Sequence, residues 1–220
     1  MPKAKSRSSP GSSTGSSRPT ARGKAGVGAR DVVDAALALA AERGWRRTSL
    51  ADIAAAAELP LAELYRLYPS KGAILAAFVA RIDRAMLEGG ATEGEGARDR
   101  LFEALMRRFE ALGPHRAGVE AILRDCGADP LATLCGAKRL LRSMAWVLEA
   151  AGIPAQGIAG RVRAKALAGL YLATLRVWLG DESADLSRTM ANLDKGLHRL
   201  ERMAEICRPL AAWRARRKAA

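Results

Sequence analysis

Apolar residues recur every three or four positions along most of the chain, and this spacing predicts helices. The first clear case is the face formed by Val33, Ala36, Leu37 and Ala40, which predicts a helix over about 30–43. No segment alternates apolar and polar residues as a half-buried strand does. Alanine and leucine, both strong helix formers, supply much of the apolar content. The pattern therefore predicts an all-α fold of about nine helices.

Two short helices follow the first one. Ser49 and Asp52 have the spacing of a capping box at the start of a helix over about 50–57. Pro60 fits the first turn of the next helix, which is expected to reach about residue 68. Three short helices in this order are the layout of a helix-turn-helix head, expected over 30–75.

A longer helical body follows the head. Ser70 is the expected cap of a helix that extends to about residue 87, and a glycine-rich loop covers 89–96. Glycine and proline breaks then separate further helices, at about 97–112, 115–124, 130–151, 156–179 and 185–207. The body is thus expected over 76–207 as a helical bundle.

The charge is concentrated at the two ends of the chain. The net charge is +13, and residues 1–30 contain seven basic and no acidic residues, while 208–220 contain five basic and none acidic. Residues 31–207 contain 24 basic and 23 acidic residues, a net of +1. We expect a disordered basic tail over 1–29 and a second basic tail over 208–220. The second tail can graze an anionic surface or add non-specific DNA affinity, with a frayed solvated end as the default.

Several classes of protein are disfavoured. No apolar run is long enough for a membrane span, and no apolar stretch follows the basic start as in a signal peptide. Three cysteines without a C-x-x-C pair indicate free buried thiols and a cytoplasmic protein. His115 and His198 have no partners at catalytic or metal-ligand spacing. We therefore expect no enzymatic activity, no metal and no cofactor.

The second helix of a helix-turn-helix enters the major groove, so its exposed residues are candidates for base contact. The starts of the neighbouring helices offer free N–H groups that suit phosphate. Together these arguments give a candidate DNA-binding set of Thr48, Ser49, Leu61, Ala62, Glu63, Arg66, Leu67, Ser70 and Lys71.

Residues 30–75 resemble the DNA-binding head of TetR-type regulators. The matching segments are Ala35-Ala36-Leu37, Gly44-Trp45, Thr48-Ser49-Leu50-Ala51-Asp52-Ile53-Ala54, Leu64-Tyr65-Arg66 and Tyr68-Pro69-Ser70-Lys71. The resemblance implies phosphate contacts from Thr48, Tyr65 and Lys71. The family commonly has Gly-Val-Ser in the turn and Lys-Gly-Thr after it, whereas this chain has Glu58-Leu59-Pro60 and Leu61-Ala62-Glu63.

The last two helices resemble the dimer-forming pair of the same family. Leu186, Met190, Leu193, Leu197 and Leu200 recur at heptad-like spacing, and Ala168 on the preceding helix permits close approach. These residues are the expected dimer interface. The alternative is that the stripe is buried within one subunit.

A ligand pocket is expected among the body helices. Its candidate lining residues are Phe102, Phe109, Met144, Trp146, Tyr171, Leu175 and Trp178, each of which has a core role as the alternative. The expected partners are double-stranded DNA, a second copy of the chain and a small apolar effector.

The resemblance implies a homodimeric transcriptional regulator, a repressor that responds to a ligand. The alternative is a lipid- or isoprenoid-binding accessory protein of ubiquinone-type biosynthesis with a vestigial head. That family shares the fold, and the stretches Ala164–Tyr171 and Trp178–Ser183 are similar to it.

Overall fold

The fold is given by a computed structural model. It describes the backbone of 25–90, 96–126 and 130–218, and the side chains of 32–90, 96–125 and 134–205. These residues form nine α-helices and one 3₁₀ turn (Gly113–His115), and no strand occurs among them. The all-α prediction is thereby confirmed. The helices are α1 (Ala25–Arg43), α2 (Leu50–Ala56), α3 (Leu61–Leu67), α4 (Lys71–Glu88), α5 (Ala97–Leu112), α6 (Arg116–Cys126), α7 (Pro130–Ala150), α8 (Gly157–Leu179) and α9 (Ser187–Lys218).

Two helices are longer than the sequence suggested. Helix α1 begins at Ala25, five residues before its expected start, and the remainder of the expected N-terminal tail, 1–24, lies outside the described residues. Helix α9 continues to Lys218 through most of the expected tail 208–220. Alanine and arginine dominate this last segment, and both are good helix formers. The prediction gave the charge of these segments more weight than their helix propensity.

Side-chain caps define the starts of two head helices. The Ser49 hydroxyl accepts a hydrogen bond from the Asp52 N–H at 3.1 Å, and the Asp52 carboxylate accepts one from the Ser49 N–H at 2.8 Å. This is the predicted capping box, and the bonds from Ser49 hold the pKa of Asp52 below its usual value. Ser70 caps α4 in the predicted way, accepting from the Ala73 N–H at 3.1 Å. The first turns of α2 and α4 are therefore fixed locally.

The head packs against the body along α1 and α6. A Cβ atom on Gly118 would lie 2.6 Å from the carbonyl oxygen of Leu37, a distance that only a glycine at this crossing allows. The Arg46 N–H, in the turn after α1, donates to the Asp125 carboxylate at 2.8 Å. One apolar core extends from Ile53 in the head to Trp178 in the body, and both side chains are buried. The head is thus continuous with the body and does not hang from it by a linker.

A buried carboxylate fixes the turn between α8 and α9. Asp181 accepts hydrogen bonds from the N–H and hydroxyl of Thr189, at 2.8 and 2.7 Å, and from the hydroxyl of Ser183. The bonds from Ser183 and Thr189 hold the pKa of Asp181 well below its usual range. Asp181 therefore orients the start of α9 along α8.

Two further findings concern chemistry that the sequence analysis addressed. The thiol of Cys135 is exposed, which corrects the expectation of a buried thiol there, while the side chains of Cys126 and Cys207 lie outside the described part. Cys135 is among consecutive exposed residues of α7, 134–138, so periodicity alone could not place it.

Within the described ranges, no helix combines the length and apolarity that a membrane crossing requires.

Candidate nucleic-acid interface

The turn between α2 and α3 brings the two helices of the motif together. The N–H groups of Glu58 and Leu59 donate to the carbonyls of Ala55 and Ala54, at 3.2 and 2.9 Å. This pairing closes the end of α2 with Glu58 in the left-handed region, at φ 54°. Pro60 precedes α3 as its N-cap, one residue before the position expected for it. The result is a helix, a tight turn and a second short helix, the geometry of a helix-turn-helix.

One face of α3 is anchored and the opposite face is open. Leu64 is fully buried and holds the helix against α2. Leu61 and Tyr65, one turn apart, are 52% and 67% exposed. Ala62 and Arg66 flank them and are exposed as well. The structure therefore brings four of the predicted DNA-contacting residues onto one accessible surface, which we call the α3 face (Leu61, Ala62, Tyr65 and Arg66).

The other two candidates on α3 lie at its margin. Glu63 and Leu67 are half-buried. The Glu63 carboxylate is 3.4 Å from the Arg66 guanidinium, one turn along the same helix. This weak, exposed ion pair directs Arg66 along α3. Breaking it costs little free energy, so Arg66 can exchange Glu63 for another acceptor.

Thr48 and Lys71 make contacts within the head, and their expected role as phosphate contacts stays a prediction. Thr48 is 1% exposed, and its hydroxyl donates to the Gly44 carbonyl at 2.9 Å. The Lys71 ammonium donates to the carbonyls of Trp45 and, at 2.7 Å, of Thr48. It also lies 4.5 Å from the centroid of the Trp45 ring. Both side chains fix the α1–α2 turn against the start of α4, because this turn has no regular structure to satisfy its carbonyls.

Ser49 and Ser70 are exposed, but each hydroxyl is engaged in its own helix cap. At the start of α2 the Asp52 carboxylate accepts the hydrogen bond of the Ser49 N–H and places a negative charge there. Two cations that the sequence analysis did not single out are present instead. Arg46 and Arg47 lie in the turn before α2, and both are exposed. The signal was a pair of consecutive basic residues directly before a helix cap.

The same head occurs in a known family. Residues 32–78 match the family model of "Bacterial regulatory proteins, tetR family", which covers α2, α3 and most of α1 and the start of α4. Residues 32–78 thus form a head of the TetR type. The head and the similar regulator structures described next support a DNA-binding transcriptional regulator with a helix-turn-helix head. No curated protein sequence matches the chain significantly.

Solved TetR-type structures share the whole fold. A TetR transcriptional regulator from Nitrosomonas europaea is 26% identical, with a TM-score of 0.64 over 77% of this chain and 95% of that one. A TetR transcriptional regulator from Rhodococcus sp. RHA1 has 23% identity and a TM-score of 0.60, over 79% and 94% of the two chains. A TetR-like regulator from the same organism has 26% identity and a TM-score of 0.51, over 79% and 94%. The similarity thus includes the body as well as the head.

Six of the seven side chains that were expected to line a ligand pocket lie in or against the core of the body. Phe109 stacks on Tyr171 with ring centroids 5.3 Å apart, and Trp178 lies 6.0 Å from Phe109. Met144 and Leu175 are buried in the same core, and Phe102 is packed against it. These six side chains fill the space between the helices, because their apolar surfaces are complementary to one another. Trp146 is the exception, being 54% exposed beside a cleft between α4 and α7.

The expected dimer stripe is largely covered within the subunit. Leu193 and Leu197 are 0% and 2% exposed, and Ala168 is buried opposite them on α8. Leu186, Met190 and Leu200 are half-buried against the same core. The alternative reading of this stripe is therefore the one that the fold supports. Heptad spacing predicts that the helix packs against another helix, and in this chain α8 is such a helix.

A different surface of α8 is exposed among the described residues. Ile158, Val162 and Leu172 are 74%, 60% and 43% exposed, at intervals that place them along one side of the helix. Gly169 lies between them and is exposed too. We call these four residues the α8 face. It combines apolar side chains with a small residue that permits close approach of another helix.

Proposed function

We propose that this TetR-family regulator is a homodimeric repressor that a small molecule releases from its operator. The observation that carries the proposal is the α3 face, an accessible surface of two apolar side chains and one arginine on a helix anchored by Leu64. Such a helix fits the major groove of B-DNA, where side chains reach base edges.

The chemistry of the α3 face suggests how the bases are distinguished. The Arg66 guanidinium can donate to O6 and N7 of guanine once it leaves Glu63, a weak partner at 3.4 Å. Leu61 and Ala62 can contact the methyl group of thymine. The Tyr65 hydroxyl can reach a phosphate, and Arg46 and Arg47 add charge for the backbone without reading sequence.

A two-fold operator requires two heads about 34 Å apart, and hence a dimer. The α8 face is the surface that we assign to this contact, because it exposes three apolar side chains. Two copies packed through α8 and α9 give a four-helix bundle, a common arrangement for isologous dimers. An effector that changes the distance between the heads then lowers the affinity for the operator.

The test is selection of duplexes from a random pool with the full-length protein. We expect enrichment of a two-fold symmetric sequence, with Arg66→Ala relaxing preference at one position of each half-site and weakening binding about 10- to 100-fold. The matched control is Arg199→Ala, an exposed arginine on α9. Recovery of no preferred sequence, or an unchanged preference with Arg66→Ala, would contradict the proposed reading surface.

The accessory-protein alternative is not favoured, since the matched family and the similar structures are those of regulators. TetR-family regulators are generally not enzymes. Repression and release by a ligand are tested by transcription from the selected operator in vitro, which should fall on addition of the protein.

A further inference from the structure

An open cleft between α4 and α7 has the charge and shape of a binding site. Its volume is about 370 Å³, within the range of small-molecule sites. One wall comes from α4 and the other from α7, and the lining consists of Ala76, Val79, Ala80, Asp83, Arg84, Leu87, Arg139, Arg142, Ser143 and Trp146. The cleft lies in the body, away from the α3 face.

Three guanidinium groups surround the cleft. Arg84 is on α4, and Arg139 and Arg142 are one turn apart on α7. Within the described part of the chain, none of the three forms an ion pair. Three arginines that line one concave surface raise its local positive potential and favour an anion.

The carboxylate of the cleft does not cancel this charge. Asp83 accepts hydrogen bonds from the Ser143 hydroxyl, at 2.5 Å, and from the guanidinium of Arg108. Arg108 is 3% exposed and lies behind the cleft, with its guanidinium carbon 5.2 Å from the centroid of the Tyr171 ring. The pair of Asp83 and Arg108 is therefore neutral as a unit, and the three surrounding arginines remain uncompensated.

The remaining surface of the cleft is apolar. Trp146 is 54% exposed, a large aromatic surface left in contact with water. Val79 and Leu87 on α4 lie across from it. An aromatic side chain beside arginines suits a ligand that carries a negative group and a flat or apolar body.

We propose that this cleft binds an organic acid with an aromatic or apolar body, held by Arg84, Arg139 and Arg142 at its anionic group and by Trp146 at its body. The inference deepens and rests on the proposed function, since it names the class of effector. It replaces the expected apolar effector with an amphipathic anion. Helix α4 begins at Lys71, which is bonded to the α1–α2 turn, so a ligand against α4 contacts a helix that reaches the head.

The experiment uses the full-length protein and two fluorescent probes with the same rings. One is 1-anilinonaphthalene-8-sulfonate, an anion, and the other is N-phenyl-1-naphthylamine, which is neutral. The Arg139→Gln/Arg142→Gln variant should raise the Kd of the sulfonate roughly tenfold and change that of the neutral probe less than about twofold. Trp146→Ala should weaken both probes, because it removes the surface that contacts the rings.

The matched control is Arg124→Gln/Arg199→Gln, which removes the same charge from exposed positions on α6 and α9. It should leave both Kd values unchanged. The proposal is overturned if the sulfonate shows no saturable binding below about 1 mM, if Arg139→Gln/Arg142→Gln has no effect, or if the control weakens binding equally.

Operator binding by the same preparations separates the two proposals. Wild-type protein that selects a DNA sequence but does not bind the sulfonate would refute the cleft and leave the regulator intact. Saturable, arginine-dependent sulfonate binding by a protein that selects no DNA would support the cleft as an anion site and refute the proposed regulator.

Discussion

Glu58 and Lys71 illustrate how single residues shape the head. Glu58 adopts φ 54°, a left-handed conformation that costs a side-chain-bearing residue about 1 kcal/mol and that glycine adopts freely. TetR-type sequences commonly have glycine at this turn. Lys71 satisfies two carbonyls of the α1–α2 turn with its ammonium. One residue thus adds strain to the motif and the other removes unsatisfied polar groups.

Glu58→Gly should stabilise the protein. Relief of the left-handed strain outweighs the greater entropy of glycine in the unfolded chain, for a net gain of about 0.5 kcal/mol. Glu120→Gly is the control, since Glu120 is an exposed glutamate inside α6 and glycine there should cost about 1 kcal/mol. Urea denaturation followed by circular dichroism measures both. Equal destabilisation by the two changes would show that the turn is not strained.

Lys71→Ala and Arg47→Ala should separate folding from DNA contact. Lys71→Ala removes two charge-assisted hydrogen bonds and should lower the free energy of unfolding by about 1–2 kcal/mol. Arg47→Ala should leave stability within about 0.5 kcal/mol but weaken binding to all duplexes and reduce the salt slope by about one. Thermal unfolding and salt-dependent anisotropy give the two readouts. A Lys71→Ala protein of unchanged stability and reduced affinity for DNA would support Lys71 as a phosphate contact.

At the scale of elements, the sequence was sufficient for the order of the helices and for two of their caps. The capping box of Ser49 and the cap of Ser70 were both predicted, because a helix start depends on a few neighbouring residues. The partner of each apolar face was harder to predict. Periodicity shows that Leu193 and Leu197 are covered, but only the fold shows that the cover comes from the same chain. The cleft was missed for the same reason, since its walls come from α4 and α7.

Substitutions on two sides of the α8–α9 pair should affect different properties, the stability of the subunit on one side and its assembly on the other. Leu193→Ala removes a fully buried side chain and should cost about 2–5 kcal/mol, with no change in the mass of the proposed dimer. Leu172→Glu places a charge on the α8 face and should yield monomers of near-normal stability. Leu134→Glu, an exposed leucine on α7, is the control for charge. Light scattering after size exclusion gives the mass. Dimers with Leu172→Glu would exclude the α8 face as the interface.

At the scale of the whole molecule, a polar cluster joins head and body at His115. The Arg81 guanidinium is 2.9 Å from His115 Nε2 and 2.6 Å from the Asp34 carboxylate. Phe78 packs its edge against the imidazole. Because arginine only donates, Nε2 accepts and the imidazole is neutral. Burial first, and Arg81 second, lower the pKa of His115, against an opposing effect of Asp34.

The lowered pKa predicts a pH dependence of stability. As the pH falls, His115 takes up a proton near pH 6.5 in the unfolded chain and only at a lower pH in the folded chain. The free energy of unfolding is therefore highest above pH 6.5 and decreases as the pH falls below it. His115→Gln should reduce this decrease. His198→Gln, which removes the exposed second histidine, should leave it unchanged. Thermal unfolding between pH 7 and pH 5 is the measurement, and identical profiles for wild type and His115→Gln would contradict the assignment.

The close approach of α1 and α6, and with it the angle between head and body, depends on Gly118 having no side chain. A methyl group there would lie 2.6 Å from the Leu37 carbonyl, so α1 and α6 would have to separate. Gly118→Ala should therefore change the tilt of the head. In the proposed dimer, this change should alter the number of base pairs preferred between the two half-sites, although Gly118 is remote from the α3 face.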